Sequence, residues 1–214
     1  MRDEAIHLVD DDGAVRDSIA FLLESAGYRV VTYGNPHAVL AALRAGVSMS
    51  CLITDVRMPE MDGLQLVRES RALDPDLPII VITGHGDVPL AVEAMKIGAA
   101  DFIEKPFDDQ HLIRALRLAL SAAPRATDDH ADIRRRLDQL SAREREVLQG
   151  LVDGHPNKVI AWRLNISPRT VEVYRAKAMT KMGAGSFAEL VQMAILADLR
   201  FAPSLVPRDP GDEN

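Results

Sequence analysis

The chain predicts a doubly wound α/β domain, a five-stranded parallel sheet with helices on both faces, followed by an all-helical domain. Three observations predict it. Short apolar runs alternate with helically spaced segments as far as residue 122, and after that point strand patterns stop. Charge also changes sign along the chain: residues 1–123 carry 11 basic against 19 acidic side chains, residues 124–200 carry 13 against 10, and the remainder carries 1 against 3. A net charge of -7 for the whole chain therefore conceals two parts suited to different partners.

The elements follow in order. AIHLVD, RVVTY, SCLITD, PIIVITG and DFIEK read as strands. Between them, segments such as VRDSIAFLLESAG place apolar residues three and four apart. Gly27 follows the first helix, Pro36 opens the second, Asp87 and Pro89 start the fourth, and Gly98 ends it. Asp62 and Gly63 form the turn into the third, and the fifth runs over roughly 108–122. Pro124 and its small polar neighbours read as the start of a linker, residues 123–136, partly helical through HADIRRRLDQL, with a solvated basic face. Four short helices fill 137–200: Ser141 caps REREVLQGLVDG with Glu144 at the capping-box position, NKVIAWRLN follows, Ser167 and Pro168 start RTVEVYRAKAMTKM, and Ser186 starts FAELVQMAILADL. Residues 201–214, rich in Pro and charge, read as a disordered tail.

Two hundred and fourteen residues can bury a core in each of two domains. The single cysteine, Cys51, lies in the apolar run CLIT and reads as a small buried hydrophobe in a reducing compartment. MRDEAIHLV lacks the pattern of a secretory leader, and no run approaches the ~20 apolar residues of a membrane helix. These features predict a cytoplasmic chain with no membrane partner.

Carboxylates gather at predicted strand ends. Asp10 and Asp11 follow the first strand and Asp55 ends the third, while Thr83 ends the fourth and Lys105 follows the fifth. A doubly wound sheet brings these positions to one edge, where such folds bind ligands. Three close carboxylates repel one another, and a hard divalent cation such as Mg2+ relieves that repulsion through oxygen ligands. A hydroxyl and an ammonium beside a carboxylate nucleophile are the equipment of phosphoryl transfer. Asp12 instead suits the cap of the first helix. The six histidines show no ligand spacing.

Residues 5–122 closely resemble the receiver domain of two-component response regulators, with its flavodoxin/CheY-like fold. The resemblance implies that Asp55 is the phosphoacceptor and that Asp11 and Asp55 bind Mg2+ directly, with Asp10 mainly through water and the Arg57 carbonyl as a further ligand. It also implies that Lys105, before a cis Pro106, contacts phosphoryl oxygens, that Thr83 moves toward them, and that Phe102 turns inward in response. His85 would tune access of hydrolytic water. Receivers assist their own phosphorylation and dephosphorylation without being free-standing enzymes.

In the basic part, NKVIAWRLN and ISPRTVEVYRAKAMTKM have helix-turn-helix proportions. Lys158, Arg163, Arg169, Arg175, Lys177 and Lys181 are candidate contacts to phosphates or bases. Residues 137–199 resemble the LuxR-type DNA-binding domain, and the domain order is that of the NarL/FixJ subfamily, with TGHGD, AVEAMK and DFIEKPF resembling the FixJ branch. Ser167 and Thr170 join the DNA-facing set. Glu172 and Ala176 stand where many members carry basic residues, so base reading shifts to Glu172 toward cytosine, Val173 toward a thymine methyl and Arg175 or Lys177 toward guanine or phosphate.

The expected function is a DNA-binding transcriptional response regulator, phosphorylated on Asp55 by a sensor histidine kinase. A homodimer through Pro89, Val92, Met95 and Lys96 would form on phosphorylation, and promoter DNA and RNA polymerase are the further partners. Two alternatives stay open at this point. One is a phosphohydrolase with an aspartate nucleophile, although such enzymes need a carboxylate where this chain has Arg57. The other is a regulator that binds DNA without phosphorylation.

Overall fold

The computed structural model of the protein describes residues 5–84, 88–121 and 128–197. The expectations for His85, Asp87, the linker around Pro124 and the tail 201–214 lie outside the described residues. Two compact units result.

The first part of the chain alternates as β1 (Ala5–Val9), α1 (Gly13–Ser25), β2 (Val30–Tyr33), α2 (Pro36–Arg44), β3 (Met49–Asp55), α3 (Gly63–Leu73), β4 (Ile79–Thr83), α4 (Val88–Lys96), β5 (Asp101–Glu104) and α5 (Asp109–Ser121). All five strands are parallel, in the order β2-β1-β3-β4-β5. Central strands covered on both faces carry unbroken apolar runs, as Cys51–Ile53 and Ile79–Ile82 do, each at most 1 % exposed. On one face, Ile6, Leu8, Cys51, Ile53, Ile80, Ile82 and Ile103 pack with residues of α1 and α5. The chain turns outward from β1 to β2 and then crosses back to β3, so the loops after β1 and β3 part and leave a crevice at the carboxyl edge.

Local chemistry sets the helix starts. The Asp12 carboxylate accepts from the N–H of Ala14 (2.9 Å) and Val15 (3.3 Å), capping α1, and Asp62 accepts from Gln65 N–H at 2.7 Å to cap α3. Gly63 is required by packing rather than by turn geometry. A Cβ there would lie 2.1 Å from the Asp55 carbonyl oxygen, so only glycine lets α3 begin against the end of β3.

The second unit contains α6 (Asp128–Asp138), α7 (Ala142–Val152), α8 (Asn157–Leu164), α9 (Pro168–Met182) and α10 (Phe187–Leu196). Ile133, Leu137 and Leu140 are buried with Leu148, Met182, Leu190 and Met193. Thus α6, read from sequence as part of a connector, contributes to this core. Arg136, one of its three consecutive arginines, donates to the Met182 carbonyl at 2.8 Å and closes the end of α9. Ser141 and Glu144 form the expected reciprocal capping box. Asn165, in the left-handed region (φ 53°), ends α8, and Ile166 N–H donates back to the Ala161 carbonyl at 3.0 Å, which makes the short turn into α9. Ala161 is buried at the resulting crossing, with Ile166 packed against it.

Candidate functional site

The parity of the first core face runs past the strand ends. Side chains alternate along a strand, so Asp10 continues the row of Ile6 and Leu8, Asp55 that of Cys51 and Ile53, and Lys105 that of Ile103. Their polar groups meet there. The Lys105 Nζ donates to Asp10 Oδ2 at 2.8 Å and to Asp55 Oδ1 at 2.7 Å, bridging residues 95 and 50 positions away. Asp10 and Asp55 are buried and Asp11 is exposed. Burial by itself pulls the Lys105 ammonium toward neutrality, but the hydrogen bonds and charges of Asp10 and Asp55 outweigh it and leave its pKa raised. The amine is therefore a full cation at neutral pH.

Backbone groups complete the frame. Arg57 N–H donates to Asp55 Oδ2 at 2.6 Å, and the Thr54 hydroxyl donates to the Asp55 carbonyl at 2.8 Å. Asp12 N–H donates to Asp10 Oδ1 at 2.9 Å. Thr83 is fully buried at the end of β4, with its carbonyl accepting from Lys105 N–H at 2.7 Å. Phe102 is buried in β5 opposite Val81, on the same sheet face as Thr83 by alternation. The Lys105–Pro106 peptide is cis. On α4, Val92 and Met95 are buried, Pro89 is half-buried and Lys96 is exposed.

The donor set fits Mg2+. It offers oxygen alone, from two buried carboxylates with the exposed Asp11 next to Asp10 in the chain, and Mg2+ commonly takes one or two carboxylates with water and phosphate rather than a full protein cage. Among the described residues no three acidic, His or Cys side chains form such a cage. Other titratable groups of this unit serve elsewhere. Cys51 is enclosed by the core, and burial pushes its thiol up to about 12, which leaves no thiolate nucleophile at neutral pH. His7 lies within β1, its Nδ1 2.8 Å from the Tyr33 hydroxyl.

In the second unit the exposed positions of α9 include Arg169, Glu172, Val173, Ala176 and Lys177, and Lys158 is exposed on α8. Arg169, Val173 and Lys177 follow at four-residue intervals and so form one stripe. The Ser167 hydroxyl caps α9 by accepting from Thr170 N–H at 3.1 Å and lies 2.8 Å from the Thr170 hydroxyl. Arg175 is half-buried with its guanidinium 4.1 Å over the Phe187 ring. Arg163 Nη1 lies 2.6 Å from His155 Nε2. Lys181 points its ammonium to buried Glu144 at 2.6 Å and to the Gln139 carbonyl at 3.3 Å. Among the described residues no helix is long and apolar enough to cross a membrane.

Sequence reasoning brought Asp10, Asp11, Asp55, Thr83 and Lys105 to one edge. It missed the Arg57 and Asp12 N–H donors, because a backbone donor leaves no mark on residue identity. It also left Glu144 as a cap alone, when this side chain is equally the partner of Lys181.

Residues 6–117 match the response regulator receiver domain family, and residues 138–194 match the LuxR family of bacterial regulatory proteins. The chain is 52 % identical to the transcriptional regulatory protein FixJ of Azorhizobium caulinodans over 94 % of its length and 97 % of that protein. It is 51 % identical to FixJ of Rhizobium meliloti, covering 95 % of this chain and all of the other. The crystal structure of full-length FixJ from B. japonicum is similar at 49 % identity and a TM-score of 0.53, over 91 % of this chain and 97 % of that one. With a parallel sheet whose acidic edge carries a bridging lysine, and a helix-turn-helix in its second unit, the chain belongs to the FixJ-like two-component response regulators, transcription regulators that join a receiver to a LuxR-type DNA-binding domain.

Proposed function

We propose that phosphorylation of Asp55 by a sensor histidine kinase switches this regulator to a dimeric, promoter-binding form. The observation that carries the reading is the Lys105 ammonium held on both Asp10 and Asp55 at the mouth of the sheet. A carboxylate oxygen of Asp55 attacks the phosphorus of a phosphohistidine, the P–N bond breaks, and the departing imidazole takes up a proton. Lys105 and the Arg57 N–H, which hold the two Asp55 oxygens, are the donors available to the transferred group. Asp11, Asp55 and the Arg57 carbonyl would hold Mg2+, with Asp10 acting through water, and the bound cation would offset negative charge on the phosphoryl oxygens.

The phosphoaspartate places about two negative charges where one stood. Thr83 supplies a hydroxyl toward the new oxygens, and the volume it leaves on its face of the sheet admits Phe102. This shift biases α4 and β5, whose Pro89, Val92, Met95 and Lys96 form the dimer surface in this reading. Dimerisation pairs two copies of α9 for half-sites about one helical turn apart. Lys158, Ser167 and Thr170 position the helix on phosphates, together with Arg169, while Glu172 and Val173 reach the bases and Arg175 or Lys177 meets guanine or phosphate. Contact with RNA polymerase would follow at the promoter, in the cytoplasm.

The test compares wild type with Asp55→Asn, each with Mg2+ and either acetyl phosphate or beryllium fluoride. With acetyl phosphate wild type should gain the mass of one phosphoryl group, and with either reagent it should show a larger dimer fraction and about ten-fold or greater affinity for promoter DNA, within the usual range of allosteric coupling. Asp55→Asn should gain none. Equal DNA binding by both proteins with and without phosphodonor would overturn the switch.

A further inference from the structure

We propose that Arg16 is a positioning residue for the acidic crevice, acting on Asp11 through the backbone; the inference rests on the Mg2+-dependent reading above. Arg16 lies in the first turn of α1 and is half-buried. Its Nη1 donates to the Asp10 carbonyl at 2.7 Å. The guanidinium lies close to two glycines: a Cβ at Gly13 would stand 3.6 Å from Nη2 and one at Gly34 would stand 3.6 Å from Nη1, both ordinary van der Waals distances.

The carbonyl it holds belongs to the peptide that joins Asp10 to Asp11. That unit is planar, so fixing its oxygen fixes the nitrogen and Cα of Asp11 as well. The remaining groups of Asp10 are engaged too. Its N–H donates to the Tyr33 carbonyl at 3.3 Å, its Oδ1 accepts from Asp12 N–H at 2.9 Å and its Oδ2 accepts from Lys105 at 2.8 Å. Asp11, by contrast, is exposed. Direction for its carboxylate must come from the backbone, which Arg16 holds on the Asp10 side and the Asp12 N–H bond holds on the other. The role differs from that of Lys105, which meets the carboxylates themselves.

Charge and position predict opposite signs. An arginine near a cation site repels the cation, so if charge were its main effect, removing it would tighten Mg2+ binding. If Arg16 positions Asp11, removing it weakens binding. The experiment is a calorimetric titration of the full-length, unphosphorylated protein with MgCl2, in wild type, Arg16→Met and Arg16→Lys, beside thermal unfolding without metal. Arg16→Met should raise the Mg2+ dissociation constant about ten-fold, the scale at which groups behind metal ligands act, and Arg16→Lys, which keeps one donor, should recover to within about three-fold of wild type. Should Arg16→Met fail to fold, Arg16→Gln carries the same expectation of a loss. Tighter or unchanged Mg2+ binding in the neutral variants overturns the proposal, even if their unfolding temperature falls. Absence of saturable Mg2+ binding by wild type would instead overturn the phosphoryl-transfer reading of the crevice.

Discussion

Each unit of the molecule sets a lysine on a buried carboxylate, and the two arrangements differ in what they leave over. In the receiver, Lys105 bridges Asp10 and Asp55 at 2.8 and 2.7 Å, and the exposed Asp11 follows Asp10 in the chain. Three carboxylates against the Lys105 ammonium and the Arg16 guanidinium behind them still leave negative charge in excess at a mouth open to solvent. In the DNA-binding domain, Lys181 meets Glu144 at 2.6 Å, and Glu144 also accepts from the Ser141 N–H at 2.7 Å within the capping box. One acid faces one base there, and little is left to attract another ion. Excess charge makes the first cluster a place where ligands arrive, and neutrality makes the second a joint between the start of α7 and the end of α9.

The largest expected effect tests the joint. Lys181→Met strands a buried Glu144 carboxylate, a change that costs a few kcal/mol in a closed site; because the lysine is 39 % exposed, water softens the loss to about 2 kcal/mol. Urea unfolding of the full-length protein should show that loss in the transition of the helical domain, with Mg2+ making no difference. A loss of DNA affinity without a loss of stability would break the comparison and return Lys181 to the phosphate-contacting set.

A smaller effect should appear in the receiver. Lys105→Met removes the cation that separates Asp10 from Asp55, but the crevice admits water and a replacement ion, so the loss without metal should be about 1 kcal/mol. Millimolar Mg2+ should restore it, because an ion that binds only the folded state stabilises that state. The same variant should accept phosphoryl groups poorly, since the donor proposed for the phosphoryl oxygens is gone. Destabilisation that persists undiminished at saturating Mg2+ would show that the two lysines do the same work.

Much of this contrast was legible in the sequence for one cluster and hidden for the other. Asp10, Asp55 and Lys105 announce themselves because each follows an apolar run that can only be a strand, and a parallel sheet gathers strand ends at one edge. Lys181 carries no such mark. Within KAMTKM it resembles any lysine on a basic helix, and its partner lies 37 residues upstream in a segment that reads as a self-sufficient cap. The core role of α6 was hidden for a related reason. Its apolar positions Ile133 and Leu137, with Leu140 just after it, are few enough to suit a connector, and only the packed surface of α9 and α10 shows where they go.

Acid should separate the two units in order, and this is the smallest effect. His7 is buried in β1, and burial first, then the nearby charge of Arg29, lowers its pKa from 6.5. A base with a depressed folded pKa contributes stability in full above its unfolded value and loses it as pH falls through the folded value. The receiver therefore starts to weaken below about pH 6.5. Glu144 is lowered from 4.5, first by the hydrogen bond from Lys181 and then by the Ser141 N–H, so its contribution is complete above pH 4.5 and fails only below it. Calorimetry between pH 7 and pH 4 should move the receiver transition downward first. The double variant His7→Phe/Tyr33→Phe, which removes both ends of the 2.8 Å contact, should flatten that early slope and leave the later one intact. Glu144→Gln should do the reverse, and a common slope for both units in wild type would mean that these two buried groups do not set the acid response.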